Sequence, residues 1–144
     1  MVNGNGAYVG PTTAPATDEN GLFAFYAVDG VDGAYYIYSH SAKKWLGYTK
    51  AASYSSKKGF VTLSDSRVDG AYFKVDNYSD DNYQIQPYTT AGSAQAIYLN
   101  WYQGVPANGG TTLGLWTDNG AKDGGSRYTL VEQVIVERTY TITL

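Results

Sequence analysis

Trp45-Leu46-Gly47-Tyr48 and Tyr98-Leu99-Asn100-Trp101 read as the same short strand written twice, 53 residues apart. Each sets a leucine between aromatic and small or polar neighbours, the alternation that a half-buried strand needs. Keeping that offset lays Leu63-Ser64-Asp65 on Trp116-Thr117-Asp118. After a short insertion, Tyr72-Phe73-Lys74-Val75 falls on Arg127-Tyr128-Thr129-Leu130. A unit therefore reads as an aromatic-Leu strand, a variable loop, an apolar strand ending Ser/Thr-Asp, a turn and an aromatic strand. An eroded third copy lies upstream, with Tyr8-Val9-Gly10, then Thr17-Asp18, then a closing strand at 22–28.

Working outward, no segment holds a 3.6-residue apolar period over ten residues. Short alternating runs recur at 22–28, 34–39, 44–49, 60–64, 71–75, 82–88, 96–102, 112–117, 127–132 and 134–144. Turn clusters such as Asp29-Gly30-Val31-Asp32-Gly33 separate them. Many short strands with frequent turns predict an all-β barrel or, as the alternative, a β-sandwich. The runs at 34–39 and 82–88 open the second and third units. The first unit lacks an opening strand of its own, and 134–144 is expected to supply it by pairing near 7–10, which would remove an exposed edge. A second register competes: Val31-Asp32-Gly33-Ala34-Tyr35 recurs as Val68-Asp69-Gly70-Ala71-Tyr72, at an offset of 37. Reused turn chemistry accounts for that identity, since Asp-Gly suits tight turns in many folds.

Composition narrows the function. The 144 residues match one domain, expected to span 7–144 behind a 1–6 segment that reads as linker or cloning remnant. There is no cysteine, so disulfides and thiolate metal sites are excluded. The net charge of −3 is mixed along the chain, and the Lys43-Lys44 and Lys57-Lys58 pairs read as solvated loops. Nucleic acid would require a clustered basic face, so it is not expected as a partner. No apolar run approaches the ~20 residues that span a bilayer, so membrane insertion is not expected. The chain carries 15 Tyr and 17 Gly but only 16% charged residues, which describes a surface of neutral hydrogen-bonding groups.

Three such β units describe a β-trefoil. The pattern Tyr35-Tyr36-Ile37-Tyr38, a short turn, then Lys44-Trp45-Leu46-Gly47 resembles the trefoil modules, ricin-like and fascin-like, carried by secreted bacterial glycan-degrading proteins. The likeness covers residues 7–132 and rests on pattern. It implies a secreted, periplasmic or cell-surface location, tethering to a larger parent chain, and a glycan ligand. The Gln-x-Trp signature of ricin-type lectins is absent, so no binding residue carries over by identity.

Catalytic chemistry finds little footing. His40, the single histidine, sits in Ser39-His40-Ser41 and reads as a solvated turn residue. No Gly-x-Ser-x-Gly elbow and no Rossmann or P-loop glycine pattern occurs. The Asp residues mostly abut Gly or Asn, where turns explain them. The sequence therefore predicts a non-enzymatic carbohydrate-binding module with no cofactor and no metal or, as the alternative, a structural or protein-contact spacer or adhesin domain without a sugar site. An aromatic ring covers the C–H face of a sugar while Asp and Asn bond its hydroxyls. The densest such set lies in the third unit: Asn100, Trp101, Tyr102, Trp116, Asp118 and Asn119 are the expected ligand-binding residues. Trp101 follows Leu99 by two, which sets it on the face of a core candidate. Val9, Leu22, Ile37, Leu46, Leu63, Val75, Ile85, Leu99, Leu115 and Leu130 are the expected core.

Overall fold

The computed structural model of the chain describes residues 21–50, 57–91, 97–102, 112–116 and 123–132. Nine strands occupy these segments: β1 (Phe23–Ala27), β2 (Ala34–Ser39), β3 (Lys44–Lys50), β4 (Lys57–Ser64), β5 (Phe73–Ser79), β6 (Asn82–Pro87), β7 (Tyr98–Tyr102), β8 (Thr112–Trp116) and β9 (Tyr128–Thr129). Two short 3-10 turns, Tyr88–Thr90 and Gly124–Ser126, follow β6 and precede β9. The protein is all-β, and each described strand falls on one of the runs that alternation predicts. The expected strand at 134–144, its partner segment 7–10 and the linker 1–6 lie outside the described residues. No helix among those residues is long and apolar enough to cross a membrane.

All nine strands join one sheet in the order β7-β8-β4-β3-β2-β5-β6-β9, with β1 attached to β2. The pairing repeats itself. In one set β2 pairs with β3, β3 with β4, and β2 with β5. In the other β6 lies beside β7, β7 pairs with β8, and β6 with β9. The two sets thus match in the hairpin and in the closing strand, while β6 and β7 lie side by side without the paired register that joins β2 to β3. β1 stands to β2 as β5 stands to β6, an antiparallel closing strand against the next opening strand. The two hairpins also meet directly, through β4 and β8.

Structural register corrects one detail of the sequence alignment. Leu46 pairs with Leu63 and Leu99 with Leu115, so these leucines are the true counterparts. Trp45 pairs with Ser64 as Tyr98 pairs with Trp116. Trp116 therefore corresponds to Ser64, one residue from the Leu63 to which a constant offset assigns it. On the closing strands, Tyr35 opposite Phe73 and Tyr83 opposite Tyr128 keep the expected Phe73–Tyr128 match.

The core gathers Ile37, Leu46, Val61, Phe73, Ile85, Ile97, Leu99, Leu113 and Leu115, with Leu63, Val75 and Tyr128 packed against it. Phe73 and Leu115 are fully enclosed. Five expected core residues, Ile37, Leu46, Ile85, Leu99 and Leu115, are in that cluster, whereas Leu22 and Leu130 are only half-buried and Val9 is outside the described residues. Both copies of Val-Asp-Gly-Ala make the same turn. Ala34 N donates to Val31 O at 3.3 Å and Ala71 N to Val68 O at 3.1 Å. Gly33 and Gly70 hold φ of 65° and 80° at the third position, as a type II turn requires. The first copy leads into an opening strand and the second into a closing one. The 37-residue identity is therefore a reused turn, as the sequence reading expected.

Candidate functional site

Alternation along β7 and β8 divides the expected site between two faces. Leu99, Leu113 and Leu115 point to the core, and Tyr98, Asn100, Gly114 and Trp116 occupy the outer face. Trp116 is half-buried at the end of β8, opposite Tyr98 on one side and Lys57 on the other. Trp101 pairs with Leu113 and Tyr102 with Thr112. Asp118 and Asn119 lie outside the described residues.

Asn100 has a distinct place. It is 2% exposed although it lies on the outer face, because the 3-10 turn before β9 folds over it. Its Nδ2 donates to Asp123 Oδ1 at 2.9 Å and to Ser126 Oγ at 2.9 Å. The same Asp123 oxygen accepts from Gly125 N at 2.8 Å, and Tyr128 Oη donates to Gly125 O at 3.3 Å. Burial, together with the Asp123 charge, pushes the Tyr128 phenol well above its ordinary pKa. Asn100 thus pins the closing turn to the hairpin beside Trp116. In the second unit small residues occupy the same place. A Cβ built on Gly47 would lie 3.9 Å from Ala71 Cβ and 3.0 Å from Thr62 Oγ1, so Gly and Ala pack there where Asn and Ser bond.

A larger aromatic assembly, which the sequence reading passed over, occupies the outer face of the second unit. Trp45 contacts Tyr38 at 5.1 Å and Tyr26 at 5.3 Å between ring centroids. His40 meets Tyr38 edge-on at 5.6 Å. It is no freely solvated turn residue: its backbone N donates to Leu22 O at 3.2 Å, and its Nε2 is buried without a hydrogen-bond partner among the described residues. Tyr36 touches Tyr72 at 5.6 Å, Tyr72 touches Tyr88 at 5.3 Å, and Arg67 lies over the Tyr36 ring at 4.5 Å. At the margin Lys44 Nζ and Asp65 Oδ1 form an ion pair of 2.6 Å. The signal was present in the sequence as Tyr35-Tyr36-Ile37-Tyr38, but the contribution of Tyr26 from β1 required the strand pairing.

Asp76 pairs with Lys74 at 3.0 Å and accepts from Gln86 at 2.9 Å, and this hydrogen bond and charge hold the Lys74 ammonium above its ordinary pKa. Asp80 sits at a hairpin tip with φ of 45°, its carbonyl bonded by Asn77. Among the described residues no group of three or more His, Asp or Glu is arranged to hold a metal ion. No protein-family model matches the sequence, and no curated protein is significantly similar to it.

Proposed function

We propose that this chain is a β-trefoil and serves as a non-catalytic carbohydrate-binding module, tethered to a larger secreted or cell-surface glycan-active protein. The repeated pairing scheme supports the trefoil. The hairpins β3–β4 and β7–β8 each come with an opening strand that pairs with a closing one, β2 with β5 and β6 with β9, and β1 against β2 suits a closing strand of a first unit. The observation that carries the function is the matched cross-strand pair at the hairpin base of each unit. Trp45 faces Ser64 in one, and Trp116 faces Tyr98 in the other. Each places a half-buried indole on the outer face. An indole against the C–H face of a sugar buries apolar area without needing charge, which suits a chain with 16% charged residues.

The third-unit site uses Trp116 as its platform, with Asp118, Asn119 and Tyr102 proposed to complete it and Asn100 holding the turn that borders it, whereas Trp101, opposite core-facing Leu113, falls on the other face of the strand and leaves the proposed site. Each sugar hydrogen bond contributes about 0.5–1.5 kcal/mol net. Single-site affinity therefore falls near the millimolar range, about −4 kcal/mol. Tethering to a parent enzyme raises effective concentration and makes such weak binding useful. The test is titration with mono- and oligosaccharides, followed by Trp fluorescence and amide shifts, on the native chain and on Trp116→Ala. Binding that perturbs the third unit and weakens in Trp116→Ala supports the reading. Binding that survives Trp116→Ala with the fold intact displaces the site, and no response to any glycan overturns the function.

A further inference from the structure

From the geometry of the second unit we infer an additional binding surface: the aromatic band across the outer face of β1, β2 and β3 takes several consecutive rings of an uncharged, unbranched polysaccharide. The inference rests on the glycan-binding reading above and adds to it a second site and a ligand class. Six rings make the band. Tyr38, Trp45 and Tyr26 are in successive contact, and Tyr36, Tyr72 and Tyr88 form a second run. The runs join because Tyr26 and Tyr36 are direct cross-strand partners on one face. Ile37, between Tyr36 and Tyr38, points the other way into the core.

Three properties fit a sugar chain. First, Tyr26 is 49% exposed and Tyr38, Trp45, Tyr72 and Tyr88 are half-buried, so part of each ring's surface reaches solvent along the band while buried Tyr36 supports it from beneath. Second, edge-to-face contacts already fix the rings, so little side-chain freedom is lost on binding. Third, two of the cations at the margin are internally committed: Lys44 to Asp65, and Arg67 to the face of Tyr36. Among the described residues Lys44 and Arg67 are thus not open to a polyanion, whereas phenol hydroxyls offer donors and acceptors to a neutral chain. Hexoses joined through equatorial bonds suit the band best, because they present flat C–H faces at every residue.

The experiment uses cello-oligosaccharides from dimer to hexamer, titrated calorimetrically and by amide shifts, with oligogalacturonate as the charged comparator. Affinity should tighten at least about tenfold from dimer to hexamer, with shifts along β1, β2 and β3. Tyr26→Ala should lose most of that gain. It removes an exposed ring and leaves the core untouched, and its urea midpoint should stay near that of the native chain. Trp116→Ala should leave the length dependence intact. Shifts confined to the Trp116 region, or no gain with length, would overturn this inference while leaving the third-unit site standing. Tighter binding of oligogalacturonate would overturn the neutral-ligand assignment. Loss of all glycan binding would remove both.

Discussion

Replacing Asn100 tests whether the polar contact beneath the last turn is a structural strut. In Asn100→Ala two hydrogen bonds disappear from a site that is 2% exposed. The bond to the Asp123 carboxylate is of the charged-acceptor kind, about 1.5–3 kcal/mol, and the bond to the Ser126 hydroxyl of the neutral kind, about 0.5–1.5 kcal/mol. Ser126 is itself fully buried, so its hydroxyl is left without its donor. The expected loss is about 2–4 kcal/mol, or roughly 6–16 °C in Tm for a domain of this size. Urea unfolding followed by Trp fluorescence measures it. The second unit supplies the comparison, since Gly47 lies beside Ala71 there without a side-chain amide. Pairing Asn100→Gly with Ser126→Ala removes donor and acceptor together, so the double variant should lose about 1 kcal/mol less than the sum of the singles. A loss below about 0.5 kcal/mol in Asn100→Ala, or strict additivity in the cycle, would refute the reasoning.

Gly70 holds φ of 80° with open space around a would-be Cβ, so Gly70→Ala should cost about 1–2 kcal/mol by backbone strain alone. Gly124 has the same open space without the left-handed φ, so Gly124→Ala should be neutral or stabilise by up to about 1 kcal/mol, and equal urea midpoints for the two would refute this. Phe73→Ala removes a fully enclosed ring and should cost about 3–5 kcal/mol, read as a lowered urea midpoint at unchanged slope. Alkaline titration probes Tyr128. Its folded pKa is raised above the ordinary 10.0, so above that pH only the unfolded state releases the phenol proton. Stability should be level with respect to this group below pH 10 and fall above it, by up to about 1.4 kcal/mol per pH unit. Lys74, with its raised pKa, acts in the same direction at higher pH, because its ion pair is present below the unfolded value of 10.5 and lost as pH rises through the folded one. Tyr128→Phe should flatten most of the alkaline slope, and an unchanged slope would refute the assignment.

Strand positions were legible because alternation is strong: Ala34–Ser39 and Thr112–Trp116 match the predicted runs to within a residue. The likeness of β3 to β7 was legible, because Leu46 and Leu99 share the aromatic-Leu pattern and both enter the core. The match slipped in β4 and β8, because Ser/Thr-Asp was matched in place of the leucine that the core selects. A one-residue slip exchanges the faces of a strand, and it would have turned Trp116 inward with Leu63. Asn100 was legible as polar and close to Trp116. That the turn at Gly124–Ser126 lies over it was not, since burial on an outer face depends on a segment more than twenty residues away. The aromatic band was illegible for the same reason: Tyr26 joins Trp45 only through β2.

The direct pairing of β4 with β8 also constrains how the chain reaches its native state. Each hairpin closes between neighbours in sequence, but Phe60 bonded opposite Gly114 couples the two hairpins across a long span. Such pairings give no return until the intervening chain has been ordered, so the molecule belongs with β proteins that refold in milliseconds to seconds. Until β4 finds β8, each hairpin presents an open edge to solvent and to other chains. The interval between local hairpin formation and their union is therefore when concentrated solutions of this protein are most exposed to intermolecular strand exchange.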